Sequence, residues 1–150
     1  MVEPIPLGTR VGFDYGEKRI GVATSDRESI LVSPHSTLLN DDKIGIKLKE
    51  IILNFDPIYI VVGNPRHLSG SLSKTSQSAI DFAHLIKSLF DRPIYLVDER
   101  FSTITSNRKL REVGINERKG KSIIDQIAAI GILESAIENE RSNRTIGDLI

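Results

Sequence analysis

The chain has 150 residues, 39% hydrophobic and 27% charged, which suffices for one sizeable core but not for two that each bury a sheet. That balance excludes collagen-like, coiled-coil and wholly disordered chains. A formal net charge of zero, from 20 basic and 20 acidic residues, means that any polyanion site is a local patch. Cysteine is absent, which excludes disulfides, thiolate catalysis and thiolate metal ligation.

The N-terminal MVEPIPLGTR has no basic stretch followed by an apolar run, so no secretory signal is expected, and a cytoplasmic location is. The first ten residues and the last ten, RSNRTIGDLI, carry few apolar anchors and are expected to fray. Arg10 to Tyr15 and Arg19 to Ser25 read as two strands of a hairpin, joined through Gly16, Glu17 and Lys18. Ile30 to Leu38 reads as a third strand, placed at an edge because Pro34 cannot donate to a central ladder. Asn40 and Asp41 are candidate caps for a helix running to about Asn54, with Ile44, Leu48, Ile51, Ile52 and Phe55 on one face. Asp56-Pro57 stops it.

Ile58 to Gly63, IYIVVG, is continuously apolar and suits a strand covered on both faces. A Gly- and Ser-rich loop from Asn64 to Thr75 leads into a helix ending near Phe90, and Ile94 to Asp98 forms a second buried strand. Ser102 caps a predicted helix ending at Gly114, and a basic loop, Ile115 to Lys121, precedes a last helix from about Ser122 to Asn139. No run of about 18 apolar residues predicts a membrane span. The order β-β-β-α-β-α-β-α-α, with right-handed crossovers, predicts an α/β fold: a five-stranded mixed sheet of order 3-2-1-4-5 with helices on both faces.

Ligand sites of such sheets lie beside the C-terminal ends of parallel strands. Asp14 falls at the end of strand 1 and Glu99 just past strand 5, each after an apolar run. Asp125 stands among Ile123, Ile124, Ile127 and Ile130, near the predicted start of the last helix, where small Ala128 and Ala129 favour a close approach to the sheet. A carboxylate beside a buried edge is costly unless paired or bound to a cation. Three oxygen donors without cysteine suit Mg²⁺ or Mn²⁺, and ions held there support phosphodiester hydrolysis by activated water. Each acid also has a structural alternative. Asp14 is a candidate brace for the hairpin turn, Glu99 a candidate ion-pair partner of Arg100, and Asp125 a charge favoured by the helix dipole.

From Arg100 to Lys121 the chain carries seven basic residues and two acidic ones, on the segment that joins Glu99 to Asp125. Arg100, Arg118, Lys119 and Lys121, with Lys18 and Arg19 in the hairpin and Arg66 in the Gly-bearing loop, are the candidate phosphate contacts. Arg108 to Glu112 reads equally well as a solvated helix face. Few aromatics accompany these charges, so recognition by shape is expected rather than base stacking. Tyr15 reads as a rim tyrosine, and His35, His67 and His84 show no ligand spacing.

The segments DYGEKRIGVATSD from Asp14, VVGNP from Val61 with a downstream Gly70, DERFST from Asp98 and DQIAA from Asp125 together resemble the YqgF/RuvX family of bacterial RNase H-like nucleases. The resemblance spans roughly residues 9–140 and implies one RNase H-like nuclease domain over 1–150. It further implies a divalent-metal nuclease, with the family's catalytic and metal-binding acids falling on Asp14, Glu99 and Asp125. Members are described as nucleases that mature the 5′ end of pre-16S ribosomal RNA and as Holliday junction resolvases, so the implied partner is structured nucleic acid, precursor rRNA or branched DNA. Symmetric cutting of a junction requires a homodimer. Where the family commonly has an aliphatic residue before the proline of its GxP motif, this chain has Asn64.

Two other classes fit parts of the sequence. GFDYGEKRIGVA resembles the first phosphate loop of actin, Hsp70 and sugar kinases, but those proteins enclose ATP between two such domains. A noncatalytic nucleic-acid-binding module is the other, and retention of all three acids favours an enzyme.

Overall fold

The computed structural model describes residues 5–64, 74–98 and 117–150. Glu99, Arg66, His67, Arg100 and the helix expected over Ser102 to Gly114 lie outside the described residues.

Strands β1 (Arg10–Asp14), β2 (Arg19–Ser25) and β3 (Val32–Leu39) lead into α1 (Ile44–Phe55), β4 (Tyr59–Asn64), α2 (Lys74–Leu89), β5 (Ile94–Asp98), α3 (Glu117–Arg141) and β6 (Asp148–Leu149). The sheet order is β3-β2-β1-β4-β5-β6. Strands β1, β4 and β5 are parallel to one another, while β2, β3 and β6 run antiparallel to their neighbours. The expected order 3-2-1-4-5 therefore holds, with a sixth strand added.

That sixth strand corrects the expectation of a frayed tail. Within RSNRTIGDLI, Leu149 and Asp148 pair with Tyr95 and Leu96, and the Ile150 amide donates to the Ile94 carbonyl at 2.9 Å. Ile146 and Ile150 pack against the cores of opposite faces, which anchors the segment. The N-terminal side is tied as well, since the Gly8 amide donates to the Arg27 carbonyl and Arg10 is fully buried.

Alternation along the strands divides the apolar residues between two layers. Val11, Phe13, Ile20, Val22, Ile60, Val62, Ile94 and Leu96 face α1 and α2, where they meet Leu48, Ile51, Phe82, Ala83 and Ile86. Ala23, Tyr59, Val61 and Val97 face α3, meeting Ala129, Ile132, Leu133, Ala136 and Ile137. Burial on both sides explains why β4 is continuously apolar. Pro34 sits in the edge strand as expected, at a register shift that leaves His35 as the extra residue of a bulge.

Helix ends differ from the sequence reading in two places. At α1, neither Asn40 nor Asp41 is the cap. The helix starts behind Lys43 without a side-chain cap, Asp41 Oδ1 accepts from the Lys43 amide, and Asn40 Nδ2 donates to the Gly16 carbonyl at 2.9 Å. Asn40 thus braces the hairpin turn instead. At its other end, Asp56 takes a left-handed conformation (φ 43°) before Pro57. The second correction concerns α3, which begins at Glu117, so the expected basic loop up to Lys121 is helical from Glu117 onward. Gly120 and the clustered charges lower helix propensity there by about 1 kcal/mol, too little to stop a helix of 25 residues docked along a sheet. No helix among the described residues is long and apolar enough to cross a membrane.

Candidate active site at the C-terminal edge of the sheet

The parallel strands β1, β4 and β5 end together, at Asp14, Asn64 and Asp98. Across the sheet, Gly21, Asp14, Gly63 and Val97 lie in one register row. Phe13 faces α1 and α2, so the next residue, Asp14, projects toward the α3 layer. It is half-buried there.

Two glycines let α3 lie close to that layer. A Cβ on Gly12 would come within 2.9 Å of Leu133 Cβ and 3.3 Å of the Ala129 carbonyl oxygen. A Cβ on Gly21 would collide with the carbonyl oxygen and carbon of Asp125. Gly21 is the ladder partner of Asp14, and Cα atoms so paired are about 4.5–5.5 Å apart. One strand residue thus lies beside Asp14 and beneath Asp125, which brings two acids 111 positions apart in sequence to the same corner.

From sequence, Asp125 is expected near the start of the last helix, with Ala128 and Ala129 allowing the close approach. Asp125 in fact stands in the third turn of α3, beyond the first-turn reach of the helix dipole. Ala129 does contribute to the contact, but the glycines of the facing strands share it. The Gly residues in Val11-Gly12-Phe13 and Ile20-Gly21-Val22, each between large apolar residues, were the available signal.

Asp125 is held by a charged partner. Arg19 Nε donates to its Oδ2 at 2.9 Å, with the two side chains 36% and 19% exposed. One residue on, Gln126 Nε2 donates to Thr37 Oγ1 at 3.1 Å, tying the same turn to β3. Arg19 was expected among the phosphate contacts, and the structure pairs it with a site acid. Lys18 is exposed in the hairpin turn. Arg118, Lys119 and Lys121 lie in the first turns of α3. Tyr15 packs its ring 5.2 Å from that of Phe82, in keeping with a rim tyrosine, and His35 stacks edge-on against Phe55.

The donor set suits a hard divalent ion, for Asp14 and Asp125 offer carboxylate oxygens at a partly solvated strand end. Among the described residues no group of three or more His, Asp or Glu is placed to hold a metal, and Glu99, one peptide bond beyond Asp98, lies outside them. Asn64, last in β4, is 2% exposed, and its Oδ1 has no hydrogen-bond partner among the described residues. A cleft of about 300 Å³ opens beside the ends of β4 and β5, lined by Asn64, Asp98, Ser135, Asn139, Thr145 and Asp148 among others. No described Lys, Arg or His lines it.

Residues 8–139 match the model of the RuvX family, described as Holliday junction resolvase. A protein of Streptomyces coelicolor named "Putative pre-16S rRNA nuclease" is 39% identical over 145 residues, covering 94% of this chain and 87% of its own. One of the same name from Mycolicibacterium smegmatis is 38% identical over 141 residues, covering 90% and 83%. Among solved structures, Thermus thermophilus RuvC in complex with a Holliday junction superposes with a TM-score of 0.57 at 13% identity, covering 89% of this chain and 97% of that one. Fowlpox virus resolvase, solved with Holliday junction DNA, gives 0.52 at 14% identity, covering 90% and 98%. At such identities the likeness is one of fold.

Proposed function

The chain belongs to the RuvX family, and from that membership and the paired acids at the sheet edge we propose that it is a divalent-metal-dependent nuclease. Its reaction is hydrolysis of phosphodiester bonds in the 5′-end maturation of pre-16S rRNA, a step of ribosome biogenesis in the cytoplasm. Asp14, Glu99 and Asp125 are the catalytic and metal-binding acids of one nuclease domain, whose core is residues 9–140. The observation that carries this reading is the shared position of Asp14 and Asp125 around Gly21. Bound Mg²⁺ or Mn²⁺ supplies activation of water and neutralisation of charge at the phosphate. Lys18, Arg66, Arg100, Arg118, Lys119 and Lys121 offset the repulsion between a polyanion and the acids.

The names of the relatives favour precursor rRNA as substrate. Junction resolution is the second reading, favoured by the family's description, and it requires two sites and therefore a homodimer. Incubating the protein and Mg²⁺ with a synthetic rRNA precursor and with a four-way DNA junction separates the two. The expected result is cutting of the precursor, reduced more than about 100-fold in Asp14→Asn, because even partners outside a metal's ligand set cost 10–100-fold. Cutting of the junction alone, by a dimer in solution, reverses the order of the readings. Undiminished cutting by Asp14→Asn removes the mechanism.

A further inference from the structure

Arg19 stands on β2 with Gly21 and Ala23, on the face that α3 covers. Among the described residues its side chain has one polar partner, Asp125, reached through Nε at 2.9 Å. Two positions further along the strand, Gly21 lies beneath the Asp125 carbonyl and beside Asp14. The strand that forms the floor of the site therefore also supplies the group that grips its carboxylate.

We infer that Arg19 is a positioning residue. By occupying Oδ2 it restrains the Asp125 carboxylate and leaves Oδ1 as the oxygen offered to a cation. This rests on the reading of Asp14 and Asp125 as metal ligands. Arginine suits the task because its planar guanidinium stays charged at any working pH and its Nε–H points in one direction set by the rigid fork. Lysine offers a mobile point charge without that fixed direction. The guanidinium has two opposed effects on an incoming dication. Its charge repels the ion, and its hydrogen bond orients the ligand. Removing a mere counter-charge tightens metal binding, whereas removing a positioning group weakens it, so the sign of the change identifies the role.

Calorimetric titration of Mn²⁺ into the full chain, with a non-hydrolysable oligonucleotide present, reads that sign. Arg19→Met is expected to weaken binding by about 10–100-fold, with Arg19→Lys failing to restore it. Arg27→Met removes the same charge at another exposed place and is expected to leave the affinity unchanged. Melting curves establish that each variant is folded, and if Arg19→Met is not, Arg19→Lys alone carries the comparison. Parental or tighter Mn²⁺ binding by the folded variants overturns the inference, as does an effect confined to oligonucleotide affinity. Asp14→Asn separates the two levels of failure. Weakened binding there with none in the Arg19 variants overturns only the role of Arg19. Unchanged binding in Asp14→Asn, or no uptake by the parent, overturns the metal site itself and this inference with it.

Discussion

Gly21 has no side chain because the carbonyl of Asp125 stands where one would be. Gly21→Ala is therefore expected to lift the third turn of α3 and to cost about 1–3 kcal/mol, the usual range for overpacking. It should also weaken Mn²⁺ uptake, so thermal melting and calorimetry on one sample check both effects. Asn64 poses the opposite case, a buried amide oxygen with no described partner. Asp14 and Asp125 stood out in the sequence as candidates because charges embedded in apolar runs need a reason to be there. The partner of Asp125 was not, since Arg19 lies 106 positions away and only the docking of α3 on β2 brings them together.

The three long strands of the hairpin and edge, the two buried strands and the amphipathic α1 follow from periodicity and proline placement. The start of α3 and the strand β6 do not. A two-residue strand has no period to detect, and its place is set by the open edge of β5. Ending the chain after Arg144 uncovers that edge and removes Ile146 and Ile150 from the two cores. The expected outcome is a lower Tm and concentration-dependent self-association through the bared strand, followed by light scattering. Helix α3 was expected to begin five residues late because a glycine among basic residues resembles a loop, while the docked apolar stripe that stabilises the helix lies further on.

Across the molecule, the strand order was recoverable because tight turns dictate antiparallel neighbours and right-handed crossovers dictate the rest. A buried polar cluster at the opposite end of β1 from Asp14 was not foreseen. Arg10, 0% exposed, binds both carboxylate oxygens of Glu140 and the carbonyls of Pro6 and Gly8. Tyr59 donates to Glu140 Oε1 at 2.8 Å. Burial, then the Glu140 carboxylate, pushes the Tyr59 phenol far above its ordinary value of 10.0. The folded protein thus holds this proton more tightly than the unfolded chain does. Its contribution to stability is whole below about pH 10 and erodes above it, where the unfolded chain ionises first. Tyr59→Phe should melt lower at pH 7, by the loss of one hydrogen bond, yet show a flatter alkaline limb in Tm measured from pH 9 to 11.

Within α3 the stretch from Asp125 to Glu140 is a rod of roughly 22 Å at 1.5 Å per residue, while β1 spans the gap from Asp14 to Arg10. The two elements lie together like bolted rails, fastened at Arg10 and Glu140 and again where Gly12 meets Ala129 and Leu133. The spacing of the two acids is therefore set by the nearer glycine contacts rather than by the far bolt. Loosening that bolt by Glu140→Gln should lower Tm while leaving the grip on manganese close to the parent's.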